Sequence, residues 1–395
     1  MDPLTNPFSP GAGAPPPELA GRDAILEDAR IALGRVRLGR PTKSLILVGL
    51  RGVGKTVLLV RIRELAEKDG YRAVLVEAHE NKELPALLVP PLRQILLGLD
   101  AMESISEKVK RGLRVLSGFV GCFSAKIGDI EIGIEPERGT ADSGDLESDL
   151  GALFVAVAEA AVERRTAISI CVDELQYLSE KEMSALIMAV HQVNQRNLPL
   201  VLIGAGLPQI VGLAGRSKSY SERLFDFPQI GPLGRTDART ALASPVESQG
   251  VHFTEGAIEE TIRVTQGYPF FLQQWGHEAW NLADGSPIGL ATIRAATVQA
   301  TRRLDESFFR VRFDRLTPRE KDYLRAMAEF GAPAQRSGDI AEELGVKVQT
   351  VAPLRGALIK KGMIYSPAHG DTAFTVPLFD EYLKRMMPDS RRKRR

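Results

Sequence analysis

Short apolar runs alternate with stretches of helical apolar spacing through the first 230 residues of the chain. Residues 44–48, 167–172 and 200–203 are mainly apolar runs, the pattern of strands covered on both faces, and residues 71–78 give a further strand. Between them, residues 56–68, 85–99, 145–164 and 183–197 place apolar side chains at i, i+3 and i+4, and residues 24–38 form a further helix ahead of the first run. Pro90 and Pro91 predict a break in the helix over 85–99. Strands joined through helices build a parallel sheet, so the fold class expected here is α/β. From residue 236 the period is helical throughout, with helices expected over 236–243, 255–265, 270–283 and 291–304. Thr317, Pro318 and Glu320 then make a capping box with proline at the first helical position, opening a last region. Helices over 318–330, 338–344 and 350–361 follow, then two strands over 363–366 and 372–376 joined through Ala368, His369, Gly370 and Asp371. Pro353 is expected in the first turn of its helix, where its missing N–H is tolerated.

Two stretches fall outside this alternation. Residues 1–17 hold Pro3, Pro7, Pro10 and the run Pro15, Pro16, Pro17 with few apolar residues, which predicts a disordered leader. Residues 100–145 interrupt the strand and helix order as an insertion. Within it 108–115 is basic and amphipathic, and 126–134 alternates like a hairpin turning at Gly128 and Asp129. It reads equally as a partner surface or an elaborated edge. The resulting division is a leader (1–17), an α/β core (18–235, including the 100–145 insertion), a helical lid (236–313), a three-helix region with a two-stranded wing (314–388) and a basic tail (389–395).

Composition changes this picture little. The 395 residues, 44% of them hydrophobic, can bury a large core, and a net charge of +1 gives no global field for nucleic acid or membrane. Only Cys122 and Cys171 occur, in no metal-binding or redox spacing, and both are expected as small buried hydrophobes. The five histidines are scattered. No membrane span is read, because the most apolar stretch, 198–215, is broken by Pro199, Gly204, Gly206 and Pro208. A reducing, cytoplasmic setting is the expectation.

The chemistry concentrates at residues 49–56. Gly49, Leu50, Arg51, Gly52, Val53, Gly54, Lys55 and Thr56 fit the phosphate-loop pattern GxxxxGK[ST] between an apolar strand and a helix. Glycines let successive N–H groups turn toward phosphate oxygens, Lys55 adds positive charge, and the Thr56 hydroxyl suits Mg²⁺. The strand over 167–172 ends in Asp173 and Glu174, the Walker B pattern. Asp173 can hold the Mg²⁺ shell, and Glu174 can orient and deprotonate a water attacking a γ-phosphate. ATP and Mg²⁺ are therefore the expected ligands.

With these motifs in place the chain resembles P-loop ATPases of the AAA+ origin-recognition-like and STAND groups. Gly21, Arg22 and Asp23, about thirty residues before the loop, are similar to a motif that lies beside the adenine in those proteins; without a ligand, they read as a helix start. Gly267, Tyr268 and Pro269 resemble the lid motif whose proline packs near the base, and they read equally as a glycine cap followed by a helix-starting proline. The segment around Arg223 resembles the place of an arginine finger acting on a neighbouring subunit, with Arg216 second; the ordinary alternative is a surface arginine paired with Glu222 or Asp226. Two departures stand out. The strand over 200–203 runs into Gly204, Ala205 and Gly206 where these families carry a polar residue that positions water, and no arginine lies in the lid between Gly267 and Asp284.

The last region resembles a winged helix. Its third helix, with Gln349, Thr350, Arg355, Lys360 and Lys361, is the one such folds lay in a DNA major groove. Residues 316–395 hold fifteen Lys and Arg against ten Asp and Glu, but five of those basic residues are Arg391, Arg392, Lys393, Arg394 and Arg395, so the folded part is neutral. The resemblance implies a P-loop NTPase core with helical lid and winged helix, acting as an ATP-binding and ATP-hydrolysing switch. Double-stranded DNA, a protein partner and a further copy of the chain all stay open as partners. A nucleotide-switched signalling scaffold with slow or no turnover is the alternative.

Overall fold

A computed structural model describes the chain except residues 12, 14, 101–105, 128–131, 369 and 389–395. The basic tail, His369 and the expected turn at Gly128 and Asp129 lie outside the described residues. The protein divides into two compact units, one comprising Asp23–Val48 and Lys55–Gln229, the other Met1–Arg22, Gly49–Gly54 and Ile230–Arg395.

The first unit is the α/β core. Its elements in chain order are α1 (Asp23–Arg37), β1 (Ser44–Val48), α2 (Lys55–Lys68), β2 (Tyr71–Glu77), α3 (Leu84–Asp100), α4 (Glu107–Ile127), α5 (Leu146–Glu163), β3 (Ala167–Asp173), α6 (Glu180–Gln195), β4 (Leu200–Gly206), α7 (Gln209–Ser217), α8 (Ser221–Leu224) and β5 (Phe225–Asp226). The strands make one parallel sheet in the order β2-β3-β4-β1-β5, with Val74 opposite Ile170, Ile170 opposite Leu202, and Leu45 opposite Ile203. Every residue of β1, β3 and β4 is buried, which is why these segments are apolar without alternation. The order places β3 and β1 on either side of β4, so the C-terminal ends of all three strands open on one edge, where α/β sheets place their ligands.

Three expectations change in this unit. Pro90 and Pro91 lie inside α3, which continues through them. The stretch after residue 100 forms α4, whose Val109, Leu113, Leu116 and Phe119 enter the same core as α3 and α5. It is neither an edge elaboration nor, over Lys126 and Ile127, the first arm of a hairpin, since α4 runs to Ile127. Cys122 is exposed, whereas Cys171 is buried and its thiol is pushed up to about 11 by that burial.

The second unit joins the lid and winged helix. It contains α9 (Arg235–Glu247), α10 (Glu255–Thr265), α11 (Pro269–Leu282), α12 (Leu290–Arg303), a π-helical turn (Leu304–Phe309) and α13 (Arg310–Asp314). Then follow α14 (Pro318–Glu329), β6 (Gln335–Arg336), α15 (Ser337–Leu344), α16 (Val348–Lys360), β7 (Ile364–Tyr365), β8 (Asp371–Phe374) and α17 (Phe379–Met386). Strands β6, β8 and β7 form an antiparallel sheet in that order. The Thr317–Glu320 capping box is formed, and Glu320 also accepts from Lys361 Nζ at 2.7 Å. Pro353 is the sixth residue of α16, beyond the first turn. Lid and winged helix share one core: Phe271, Trp275, Leu304 and Phe309 pack with Tyr323, Phe379 and Tyr382, and Phe309 stacks on Tyr382 at 5.1 Å.

The first nine residues of the expected disordered leader are instead docked on the lid. Phe8 is 3% exposed and lies over Gly276 of α11, where any side chain would collide with its ring. Asn6 Nδ2 donates to His277 O at 3.1 Å, Gln273 Oε1 accepts from Ser9 N–H at 3.1 Å, and Trp280 Nε1 donates to Asp2 O at 2.8 Å. One large aromatic and three directed hydrogen bonds outweigh the proline-rich composition.

Candidate functional site: the phosphate loop and the end of strand β3

In the core unit, Lys55 and Thr56 begin α2, and Lys55 is buried. Thr56 Oγ1 donates to Asp173 Oδ2 at 2.6 Å, bringing together the two residues expected at Mg²⁺. Asp173 ends β3 with 5% exposure. Burial pushes its carboxyl above the ordinary range against the pull of the Thr56 hydroxyl, and the neighbouring Glu174 charge adds to the rise. Its other oxygen, Oδ1, accepts from the Glu174 N–H at 2.8 Å. Glu174 itself is left-handed, with φ 53° and ψ 38°, an unusual conformation for a residue with a side chain. That kink turns the chain off the sheet into a short 3₁₀ turn, Leu175–Tyr177.

The turn returns to β4. Gln176 Oε1 accepts from Leu207 N–H at 2.9 Å, and its Nε2 donates to Glu174 Oε2. β4 extends three residues beyond the apolar run, through Gly204 and Gly206. A Cβ at Gly204 would lie 2.3 Å from Leu175 Cδ1, and one at Gly206 would lie 3.1 Å from Gln176 Oε1. The absence of a polar side chain at this strand end thus has a steric cause, since the turn after β3 occupies the space. Gln176 is a residue the sequence reading missed; an amide two residues beyond the Asp-Glu pair was its only signal.

In the lid unit, Gly52 and Gly54 of the loop have φ of 81° and 92°, where a side chain is disfavoured and the backbone can form an anion-binding concavity. A Cβ at Gly49 would lie 2.2 Å from Ile230 O. Arg22, 8% exposed, donates from Nη2 to Val53 O at 3.1 Å and to Gly231 O at 2.6 Å. Burial lowers its pKa, with Asp237 opposing. Gly21 packs so close to the Asp237 carboxylate that no Cβ fits. Pro269 is the first residue of α11, and the next N–H, that of Phe270, donates to Gly52 O at 3.1 Å. Arg22 therefore contacts the loop directly, Pro269 adjoins it through Phe270, and Gly21 packs on Asp237 beside Arg22. Arg51 N–H donates to Thr375 O, just past β8, at 3.0 Å.

Arg223 lies on α8 with its side chain 81% exposed and Nε 3.8 Å from Glu222. Arg216 is 66% exposed and 3.9 Å from Glu180. Two of the five third-helix residues expected to face DNA make hydrogen bonds inside the winged helix: Arg355 donates to Thr372 Oγ1, Ser366 Oγ and Asp371 O, and Lys361, just past α16, holds Glu320. Gln349, Thr350 and Lys360 are exposed. Among the described residues no group of three or more His, Cys, Asp or Glu could hold a metal, and no helix is long and apolar enough to cross a membrane.

Residues 18–203, which contain both motifs, match the model of the AAA ATPase domain. Over these residues the chain is similar to AAA ATPase domains. Residues 306–383 match a second family model, described only as a domain of unknown function (DUF8462). No curated protein matches the chain in sequence. Among solved structures the fold is similar to the Walker-type ATPase paby2304 of Pyrococcus abyssi, with a TM-score of 0.54 and 18% identity over 91% of this chain and 95% of that one. The Aeropyrum pernix Orc1 protein in complex with DNA aligns with a TM-score of 0.48 and 16% identity over 94% of each chain. Cdc6p from Pyrobaculum aerophilum aligns with a TM-score of 0.47 and 15% identity over 100% of this chain and 99% of that one.

Proposed function

We propose that the protein is an ATP-binding, ATP-hydrolysing switch whose nucleotide state sets the position of the winged helix. The observation carrying this reading lies within the lid unit. The loop expected to hold phosphates is tied by Arg51 N–H to Thr375 O beside the wing, and by Gly52 O to the Phe270 N–H of the lid. A loop that rearranges around phosphate oxygens changes both bonds, which transmits phosphate occupancy to the winged helix.

The residues fit the ligand chemistry. Thr56 and Asp173 offer two hard oxygen donors to Mg²⁺, whose remaining positions phosphates and water would complete. Magnesium, when bound, neutralises charge on the phosphate oxygens. Lys55 steadies the γ-phosphoryl group. Glu174 takes a proton from the attacking water as its oxygen bonds to the γ-phosphorus. The bond from that phosphorus to the bridging oxygen breaks, its electron pair leaves with ADP, and the proton passes to solvent as phosphate is released. Gly21, Arg22 and Pro269 frame the loop and, by the resemblance, the base. Arg223, exposed and 3.8 Å from Glu222, would act on a neighbouring copy.

Lys55→Ala should lose tight MgATP binding, and unchanged binding sinks the site assignment. Glu174→Gln should still bind MgATP while phosphate release falls about a hundredfold; release equal to wild type removes Glu174 from its role. Specific activity rising with protein concentration, and flattened by Arg223→Ala, supports a finger supplied in trans.

A second reading, duplex DNA as the partner, is favoured by exposed Gln349, Thr350 and Lys360 on α16. Loss of Arg355 and Lys361 to internal bonds weighs instead toward a protein partner, as in a signalling scaffold. Fluorescence polarisation with labelled duplex at low salt separates them; no binding with or without ATP discards DNA.

A further inference from the structure

Resting on the hydrolysis reading above, we propose that Gln176 is the positioning residue that holds Glu174 for water activation. It does so from the turn after β3, in place of a polar side chain at the end of β4. Three observations within the core unit converge on it. The first is that the amide bridges two elements, accepting from Leu207 N–H at 2.9 Å and donating to Glu174 Oε2. Its orientation is dictated by chemistry, because a backbone N–H can only donate and an ionised carboxylate only accept, so Oε1 must face Leu207 and Nε2 must face Glu174. No other polar side chain of similar length offers a donor and an acceptor on one rigid plane. The second is that the strand end has been cleared for this turn. Side chains at Gly204 and Gly206 would meet Leu175 Cδ1 at 2.3 Å and Gln176 Oε1 at 3.1 Å, so a larger residue at either position would have to displace the turn that carries the amide. The third is that Glu174 sits at φ 53°, and a residue in that region keeps its conformation only where its surroundings determine it. The Asp173 Oδ1 bond fixes its N–H and the Gln176 bond fixes its carboxylate.

A continuous line of hydrogen bonds therefore runs Thr56, Asp173, Glu174, Gln176, Leu207. It joins the residues read as metal-holding to the base and then to β4. Gln176 touches neither nucleotide nor water in this account and acts through Glu174.

The test uses the full-length protein and MgATP turnover. Gln176→Leu and Gln176→Met remove both hydrogen bonds with an apolar side chain, Met keeping the length of the amide and Leu being one atom shorter. Each is expected to lower kcat at least tenfold, leave KM and MgATP affinity within about threefold, and keep the thermal midpoint within a few degrees. In a Glu174→Gln background, adding Gln176→Leu should produce no further loss, because the two residues act as one unit. Additive losses, unchanged turnover or increased turnover in both single variants overturns the proposal, the increase marking Gln176 as a latch. A failure of the hydrolysis reading is distinguishable: there Glu174→Gln itself turns over like wild type.

Discussion

Arg22 turns a guanidinium inward to two main-chain carbonyls, Val53 O in the phosphate loop and Gly231 O after β5. Charge-assisted bonds to buried carbonyls are the stronger kind, and removing the donor leaves the acceptors unsatisfied. Arg22→Met is expected to cost about 1–3 kcal/mol in urea unfolding and to weaken MgATP binding in step with the loosened loop. A variant as stable as wild type that no longer binds ATP would instead make Arg22 a ligand contact. The residue also illustrates what sequence can convey. Gly21 and Arg22 were legible as a motif beside a nucleotide site, yet their local role depends on Asp237, Gly231 and Val53, which are far apart along the chain. Gln176 was less legible still, since its two partners become neighbours only once β3 and β4 pair. Arg355 and Lys361 show another side of this: their charges on a third helix suggested a DNA-facing surface, and their bonds to the wing and the capping box depend on segments distant in the chain.

At the level of elements, the apolar runs and Thr317–Glu320 were readable because strand burial and capping are local or periodic properties. The docking of residues 1–9 was not, because it depends on one aromatic finding Gly276, and composition averages that away. Nor was the fusion of lid and winged helix. The π-helical turn Leu304–Phe309 rotates Phe308 and Phe309 onto different partners, with Phe308 stacked on Phe270 at 4.8 Å and Phe309 on Tyr382 at 5.1 Å. A π-turn inserts a residue into helical register, which is how adjacent aromatics can serve two faces. Phe309 is 1% exposed, so Phe309→Ala is expected to destabilise by about 3–5 kcal/mol, seen as a lowered thermal midpoint. Exposed Val311→Ala, 63% exposed on α13, should change it by less than about 0.5 kcal/mol. Equal effects would mean that the shared core does not hold lid and winged helix together.

For the molecule as a whole, the lid and winged helix share one core, and on the proposed reading the loop bonds at Arg51 and Gly52 would act as the trigger. These two features make a definite prediction about where nucleotide is felt. Binding of a non-hydrolysable ATP analogue with Mg²⁺ should slow hydrogen exchange in residues 49–56, where N–H groups turn to phosphate oxygens. It should speed exchange by about threefold or more over residues 362–376, where Thr375 O loses the Arg51 donor. Residues 323–328, deep in the α14 core, should be unchanged, because the winged helix moves without unfolding. In Lys55→Ala both responses should vanish together. Protection of 49–56 with no response over 362–376 would leave a nucleotide-binding domain whose loop is uncoupled from the winged helix, and the switch reading would fail while ATP binding stood.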